Sequence, residues 1–332
     1  MKILSNDFGN GNIKTFDERD GGTLLANHSA LAQGSIRYED VYEEDGDSVQ
    51  LIEFNGAQIY AGLGAHRCGK SLGDLSYERI TQGTDEMRSV LYAAWSNHFK
   101  TPRRTRGEYS ICVQLPVSLM QAGNAADTKS KIESWLLGEH AWMSWDQEFS
   151  LSIGEVTLQS QAGAAVFDHV FDLKGQPVDE NLSLLSGEIA VISVGMGTVE
   201  GMVLDYGQPM HNLTFSTRVG VSELLSMLDG GRRGLHRADA MLRAGRYNGK
   251  LDSSVPQWAS QVRAHIMQRW AAQMGNFDAA IFVGGGIQYV KDQLRDMFTC
   301  RVVMADDPIM SIARGGYKKG TRDASRKAEK EG

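Results

Sequence analysis

Apolar residues in this chain come in short runs that stop at glycine. Ile189-Ala190-Val191-Ile192-Ser193-Val194 stops at Gly195, and Ala279-Ala280-Ile281-Phe282-Val283 stops at Gly284. Near the start, Ile3-Leu4 leads into Asp7-Phe8-Gly9-Asn10-Gly11-Asn12-Ile13-Lys14. Unbroken apolar runs bounded by turn residues predict strands covered on both faces. Val49 to Phe54 and Gln58 to Ala61 predict a hairpin turning at Asn55-Gly56. Tyr109 to Leu115 predicts a buried strand closed by Pro116, and Val156-Thr157-Leu158 a short one. Gly201 to Asp205 reads as the returning partner of 189–194, and Arg301 to Met304 as a last strand.

Other segments carry the helical period. Met87, Val90, Leu91, Ala94, Trp95 and Phe99 share one face of a helix over 85–99. Trp258, Val262, Ile266, Trp270 and Met274 do so over 257–274. Further helices are predicted at 127–137, 221–228, 236–244 with Gly245 at its end, and 287–298. Residues 318–332 are charged and lack apolar spacing, which predicts a solvated, frayed tail. Strands alternating with helices give an α/β class. Each half opens with a strand, a glycine turn and a returning strand, as an internal duplication would.

Composition narrows the setting. The 332 residues are 42% hydrophobic and 23% charged, enough apolar material for two cores. A net charge of −7 argues against direct nucleic-acid binding. Cys68, Cys112 and Cys300 are odd in number and far apart, which fits a reducing compartment and gives no zinc motif. No signal-peptide core and no apolar run of about 20 residues is present, so the expectation is a cytoplasmic protein with no membrane partner.

Two phosphate-binding readings compete. Gly64-Ala65-His66-Arg67-Cys68-Gly69-Lys70-Ser71 matches the pattern GxxxxGK[ST], in which Lys70 would reach a phosphate and Ser71 would hold Mg²⁺. That motif must open a helix, yet Leu72-Gly73-Asp74-Leu75-Ser76 has an early glycine and no apolar stripe. The other reading uses the three glycine turns. A glycine turn after a buried strand lets backbone N–H groups approach an anion, because no Cβ stands in the way. Three such turns predict a phosphate cleft built from two parts of the chain.

The turns also carry a family likeness. Asp7-x-Gly9-x-x-x-x-Lys14 resembles the first phosphate loop of the actin/sugar kinase/heat-shock chaperone ATPase superfamily, and Gly9-Asn10-Gly11-Asn12-Ile13-Lys14 is most similar to actin-like proteins of the ParM plasmid-segregation type. Ser193-Val194-Gly195-Met196-Gly197-Thr198-Val199-Glu200 resembles the second phosphate loop, and Val283-Gly284-Gly285-Gly286-Ile287 the adenosine loop. Gln114-Leu115-Pro116-Val117-Ser118 and Asp307 to Lys318 resemble two further ParM-type segments. Order and spacing agree from residue 1 to about 318.

The resemblance implies an actin-like fold: two ribonuclease-H-like domains flanking a nucleotide cleft. Domain I would take 1–165 plus 305–332, with a small inserted subdomain at about 25–85, and domain II 166–304. It implies ATP (or GTP) and Mg²⁺ as cofactors. Asp7 would hold the metal through water, and Lys14 would face the phosphates. Gly9, Asn10, Gly11, Asn12, Ser193, Gly195, Met196, Gly197 and Thr198 would line the phosphates, and Gly284, Gly285, Gly286 and Ile287 the nucleoside. Gln161 falls at the position that orients the attacking water, with Gln159 as the alternative. Glutamine cannot take the water's proton, so slow turnover is expected. The second loop of the family begins with aspartate and this chain has Ser193; Glu200 keeps the acidic position at the loop's end, toward the ribose or the metal shell. Arg237 and Asp239 stand in the segment that borders the base. The function implied is a filament-forming actin-like ATPase that assembles head-to-tail with itself and segregates DNA through a separate DNA-binding adaptor. The alternative is a small-molecule kinase of the same superfamily.

Overall fold

A computed structural model describes residues 1–33, 49–72, 77–120 and 123–331. The chain divides into two compact units: unit 1 is Met1–Val113 with Gly123–Leu158, and unit 2 is Gln114–Ala122 with Gln159–Gly332. Among the described residues no helix is long and apolar enough to cross a membrane.

Unit 1 is built on one sheet. Its elements are β1 (Lys2–Phe8), β2 (Asn12–Asp17), β3 (Gly21–Ala26), β4 (Ser29–Ala32), β5 (Gln50–Phe54), β6 (Ala57–Ala61), α1 (Ala65–Cys68), β7 (Gly69–Ser71), α2 (Tyr77–Gln82), α3 (Asp85–Phe99), β8 (Glu108–Leu115), α4 (Ala125–Leu136), β9 (Gly138–Ser144) and β10 (Gln147–Ser160). The strands run in the order β3-β2-β1-β8-β10-β9-β5-β6-β4-β7. Segments expected to form a separate insertion, about 25–85, therefore supply β4 to β7 of this sheet; residues 34–48 and 73–76 lie outside the described residues. The expected turn at Asn55-Gly56 is present, with both residues at positive φ, as a two-residue hairpin requires.

Helix α3 shows why the sequence period was informative. Thr84 caps it by accepting from Met87 N at 3.4 Å, and Asp85 and Glu86 fill the acidic first turn. Met87, Val90, Leu91, Ala94, Trp95 and Phe99 are all buried. Tyr92 stacks on Trp142 of β9 at 4.7 Å, and Trp142 on Phe149 of β10 at 5.5 Å. The Trp95 and Trp142 indoles donate to Asn6 Oδ1 at 3.1 Å and Ser96 Oγ at 2.9 Å, so their polar edges are satisfied inside the core.

Unit 2 has three layers. Its elements are α5 (Gln161–Val170), β11 (Glu188–Val194), β12 (Val199–Asp205), β13 (Gln208–Pro209), β14 (Phe215–Thr217), α6 (Val221–Asp229), α7 (Leu235–Arg243), α8 (Asn248–Trp270), β15 (Ala279–Val283), α9 (Ile287–Arg295), β16 (Arg301–Met304) and α10 (Ser311–Glu331). The sheet order is β13-β12-β11-β15-β16, with β14 also on β12, and β11 runs parallel to β15. Ala190, Ile192 and Val194 pack against α6 to α9, while Ile189 and Val191 pack against α5 and α10. Burial on both faces is why β11 and β15 read as unbroken apolar runs. Helix α8 starts nine residues before the 257–274 stripe predicts, and it accommodates Pro256.

Two expectations about the end of the chain are corrected. Residues 318–331 continue α10 rather than fraying, because Ile312, Ala313 and Tyr317 are buried and anchor the helix. Residues 305–332 also group with unit 2, not with the first domain, because α10 lies along α5. Gly315 sits at the crossing: a Cβ there would overlap the Ala164 carbonyl oxygen and lie 2.7 Å from its carbon.

The same crossing holds a buried ion cluster. Asp168 accepts from Arg314 Nε at 2.7 Å and NH2 at 2.6 Å, and Lys318 Nζ is 3.0 Å from Oδ1. Burial pushes the Asp168 carboxyl up, but Arg314 and Lys318 outweigh it and hold the group below its ordinary value. A lowered folded value means stability that is full above the unfolded carboxyl value of about 3.9 and lost as pH falls through the folded one. Urea unfolding of the wild type should therefore lose more stability than Asp168→Asn as pH is taken from 5 to 2.5. Parallel pH curves for the two proteins would refute this role.

Candidate nucleotide-binding loops

In unit 1, β1 and β2 form an antiparallel hairpin in which Asp7 faces Lys14 across the ladder. Directly opposed residues point to the same face, so register alone brings the two charges together. Lys14 Nζ donates to Asp7 Oδ2 in a buried ion pair; the Asp7 side chain is fully buried and that of Lys14 is 9% exposed. The turn between them is Gly9-Asn10-Gly11. Asn27 braces it, with Asn27 Nδ2 donating to Gly9 O at 3.2 Å and Asn27 N to Gly11 O at 3.0 Å. Asn10 Oδ1 and Asn12 Oδ1 are buried with no hydrogen-bond partner. A Cβ on Gly9 would sit 2.9 Å from Asn12 O and 3.4 Å from Lys14 Nζ, so the turn closes over the lysine only with glycine there.

In unit 2, the β11–β12 hairpin places Ser193 opposite Glu200 and turns through Gly195-Met196-Gly197-Thr198. Gly195 N donates to Thr198 O at 2.9 Å to close the turn. Met196 has no positive φ, so the turn accommodates a side chain at this position. Helix α6 docks on this turn: Val221 N donates to Gly195 O at 3.0 Å and Ser222 N to Met196 O at 2.8 Å. Gly220 makes that approach possible, since a Cβ would lie 2.5 Å from Met196 O and 2.6 Å from Thr198 N.

The third glycine turn joins the second. Gly286 N donates to Val194 O at 2.9 Å, and Gly284, at φ +92°, leaves no room for a Cβ against Val194 O at 2.5 Å. Both turns thus lie at the carboxyl ends of the parallel strands β11 and β15, where open α/β sheets place their ligands. Ile287 begins α9 and is buried.

Glu200 is hydrogen-bonded within unit 2. Val117 N donates to its Oε2 at 3.2 Å and Ser216 Oγ to its Oε1 at 3.1 Å, so the carboxylate fastens β12 to the segment after β8 and to β14. Gln161 is the first residue of α5 and is 8% exposed, and the helix is capped by Ser160, whose Oγ accepts from Gly163 N at 3.1 Å. Gln159 Oε1 beside it is buried with no hydrogen-bond partner.

Near the third turn, Asp239 is buried and accepts from Arg243 Nε at 2.9 Å. Tyr289, three residues past Gly286, has its hydroxyl pushed up by burial; Arg243 opposes that shift and Asp239 adds to it. Tyr289 and Arg243 escaped sequence reasoning, because on amphipathic helices they read as ordinary face residues.

The GxxxxGK[ST] match does not form a phosphate loop. Lys70 and Ser71 lie on β7, paired with Leu31 and Ala30 of β4, and both are exposed. The glycine loop before a helix that such a motif needs is missing: Ala65–Cys68 is a single helical turn preceding Gly69.

No family model matches the chain, and no curated protein does. Solved structures do. An apo psk41 ParM protein superposes with a TM-score of 0.71 at 15% identity, covering 99% of both chains. An archaeal actin homologue gives 0.73 at 15% identity over 98% of this chain and 100% of its own. A 15-stranded ParM filament from Clostridium botulinum gives 0.73 at 16% identity, over 97% and 99%. Identity at this level speaks for architecture only, and the architecture is unambiguous: this chain has the ParM-type actin-like fold.

Proposed function

We propose that the chain binds a nucleoside triphosphate with Mg²⁺, hydrolyses it slowly, and assembles head-to-tail into filaments. The observation that carries the reading is the buried Asp7–Lys14 pair beside a glycine turn whose asparagine amides, Asn10 and Asn12, end in buried atoms without partners. A buried ion pair is a weak source of stability, so its presence at a turn calls for a ligand. Lys14 and the backbone N–H groups of Gly9 to Asn12 form one phosphate-binding loop, and those of Gly195 to Thr198 form another. The residues fit a hydrated Mg²⁺: a carboxylate at Asp7 and open amide oxygens suit its preference for oxygen ligands and retained water. Bound there, the ion would neutralise charge developing on the phosphates. Gln161 orients the attacking water, with Gln159 as its neighbour in that role. Neither removes a proton, and Ser193 supplies no carboxylate, so turnover is slow. Gly284, Gly285, Gly286 and Ile287 receive the nucleoside, with Tyr289 and Arg243 at its edge.

Polymers follow from a heterologous contact, which does not close on itself. The similar structures include filaments, one of them AlfA from a B. subtilis plasmid. On this reading the filament moves DNA through a separate DNA-binding adaptor, in keeping with the acidic net charge of −7.

The test is sedimentation and electron microscopy of the purified chain with ATP, GTP or their non-hydrolysable analogues, with and without Mg²⁺. Nucleotide-dependent filaments and slow phosphate release are expected. Monomer under every nucleotide at high protein concentration would overturn the assembly reading. Lys70→Ala should leave nucleotide affinity unchanged, since that side chain stands on an exposed strand. Gln161→Ala should cut phosphate release by about 10²-fold while nucleotide still binds.

A further inference from the structure

At the opposite end of β2 from the Gly9–Lys14 turn, unit 1 gathers a second group of ligand-type side chains. Asp17 closes β2, Asp20 lies in the turn to β3, and His98 lies in the last turn of α3. One ligand atom from each lies within 4.8 Å of the others. The site is buried: His98 is 1% exposed and Asp17 9%.

Each of the three is held by one atom, and two of them keep another atom buried without a partner. Asp17 Oδ1 accepts from Asp20 N at 2.6 Å, and Asp20 Oδ1 accepts from Arg104 NH1 at 2.6 Å. His98 Nδ1 is paired with Thr23 Oγ1 at 2.9 Å. When Nδ1 donates to that hydroxyl, the lone pair of the ring is at Nε2, the arrangement that metal-binding histidines use. His98 Nε2 and Asp20 Oδ2 are both buried with no hydrogen-bond partner. His98 Nε2 faces Asp17 Oδ2 at 3.4 Å. That is long for an N–H···O bond, which centres near 2.9 Å. It is the edge of a tetrahedron whose corners lie about 2.1 Å from its centre, the length of zinc bonds to imidazole nitrogen and carboxylate oxygen.

We propose that Asp17, Asp20 and His98 bind a divalent transition-metal cation of the zinc class through Asp17 Oδ2, Asp20 Oδ2 and His98 Nε2. The ion ties the β2–β3 turn to the end of α3, with a fourth position left for water. It is separate from the Mg²⁺ of the nucleotide and does not depend on nucleotide binding. The competing occupant is a proton on His98 Nε2 directed at Asp17 Oδ2, with no metal bound.

The test uses the whole chain, nucleotide-free and stripped with a chelator, titrated with Zn²⁺ and with Co²⁺ as a coloured stand-in. One saturable equivalent, visible Co²⁺ absorption and a raised thermal midpoint with Zn²⁺ are expected. Asp20→Asn keeps the Arg104 contact and should weaken Zn²⁺ binding by about tenfold or more; His98→Gln should abolish the Co²⁺ spectrum. If His98→Gln does not fold, Asp20→Asn decides. No saturable binding, or binding that both variants leave unchanged, overturns the proposal in favour of the proton.

Discussion

Lys14→Ala should cost about 3–5 kcal/mol of stability and abolish nucleotide binding together. The cost arises because Asp7 is fully buried and loses the ammonium across the hairpin, leaving a carboxylate charge in the interior without its counter-ion. The binding loss follows from the proposed function, in which the same ammonium is the point charge for the phosphates. A double variant separates the two. Asp7→Val with Lys14→Met removes both charges and keeps apolar volume on a buried face, so most of the lost stability should return. Nucleotide binding should not. Denaturant unfolding and nucleotide titration of the three proteins read this out. A stable Lys14→Ala that still binds nucleotide would remove Lys14 from the site and leave the glycine turn as a simple hairpin.

Gly315→Ala should destabilise unit 2 by about 3 kcal/mol or more, although it adds a single methyl group. Two backbones meet at that point. The added Cβ would overlap Ala164 O and lie 3.0 Å from Asp168 N, atoms of a helix that cannot rotate away as a side chain could. Relief requires α10 to move off α5. That movement stretches the Arg314 and Lys318 contacts to Asp168, so the cost includes part of a buried charge cluster. The neighbouring exchange Arg322→Ala tests the specificity of this argument: it removes a cation over the Phe171 ring at 4.3 Å and should cost only about 0.5–1 kcal/mol. Equal effects of the two would mean that α10 tolerates displacement and that the crossing is not tight.

Much of the fold was legible because its elements carry strong local periods. The α3 face from Met87 to Phe99, the Asn55-Gly56 turn and the apolar strands β11 and β15 were all written in short-range pattern. The β9–β10 hairpin was missed, although its alternation is plain in retrospect: His140, Trp142 and Ser144 are buried and Glu139 and Ala141 exposed. Its turn at Trp145-Asp146 uses a non-glycine residue at positive φ, so it lacks the usual turn residues. The tail was misjudged for a related reason. A helix anchored at its first two turns can continue as a charged rod, held by pairs such as Lys319–Asp323, without any apolar stripe of its own.

The candidate site divides in the same way. By itself the sequence determined where the glycine turns stand and which charges flank them, because a strand that ends in glycine is a local property. Pairing register then placed Lys14 on Asp7 almost automatically. Only the tertiary structure decided what distant segments do to those groups. It brought Val117 and Ser216 to the Glu200 carboxylate. It fitted Gly220 and α6 against the second turn and put Lys70 on an exposed strand. It also drew Asp17 and Asp20 beside His98, residues more than seventy positions apart along the chain. Periodicity is set by the backbone over a few residues, whereas the partner of a buried polar group is chosen by packing across the whole unit.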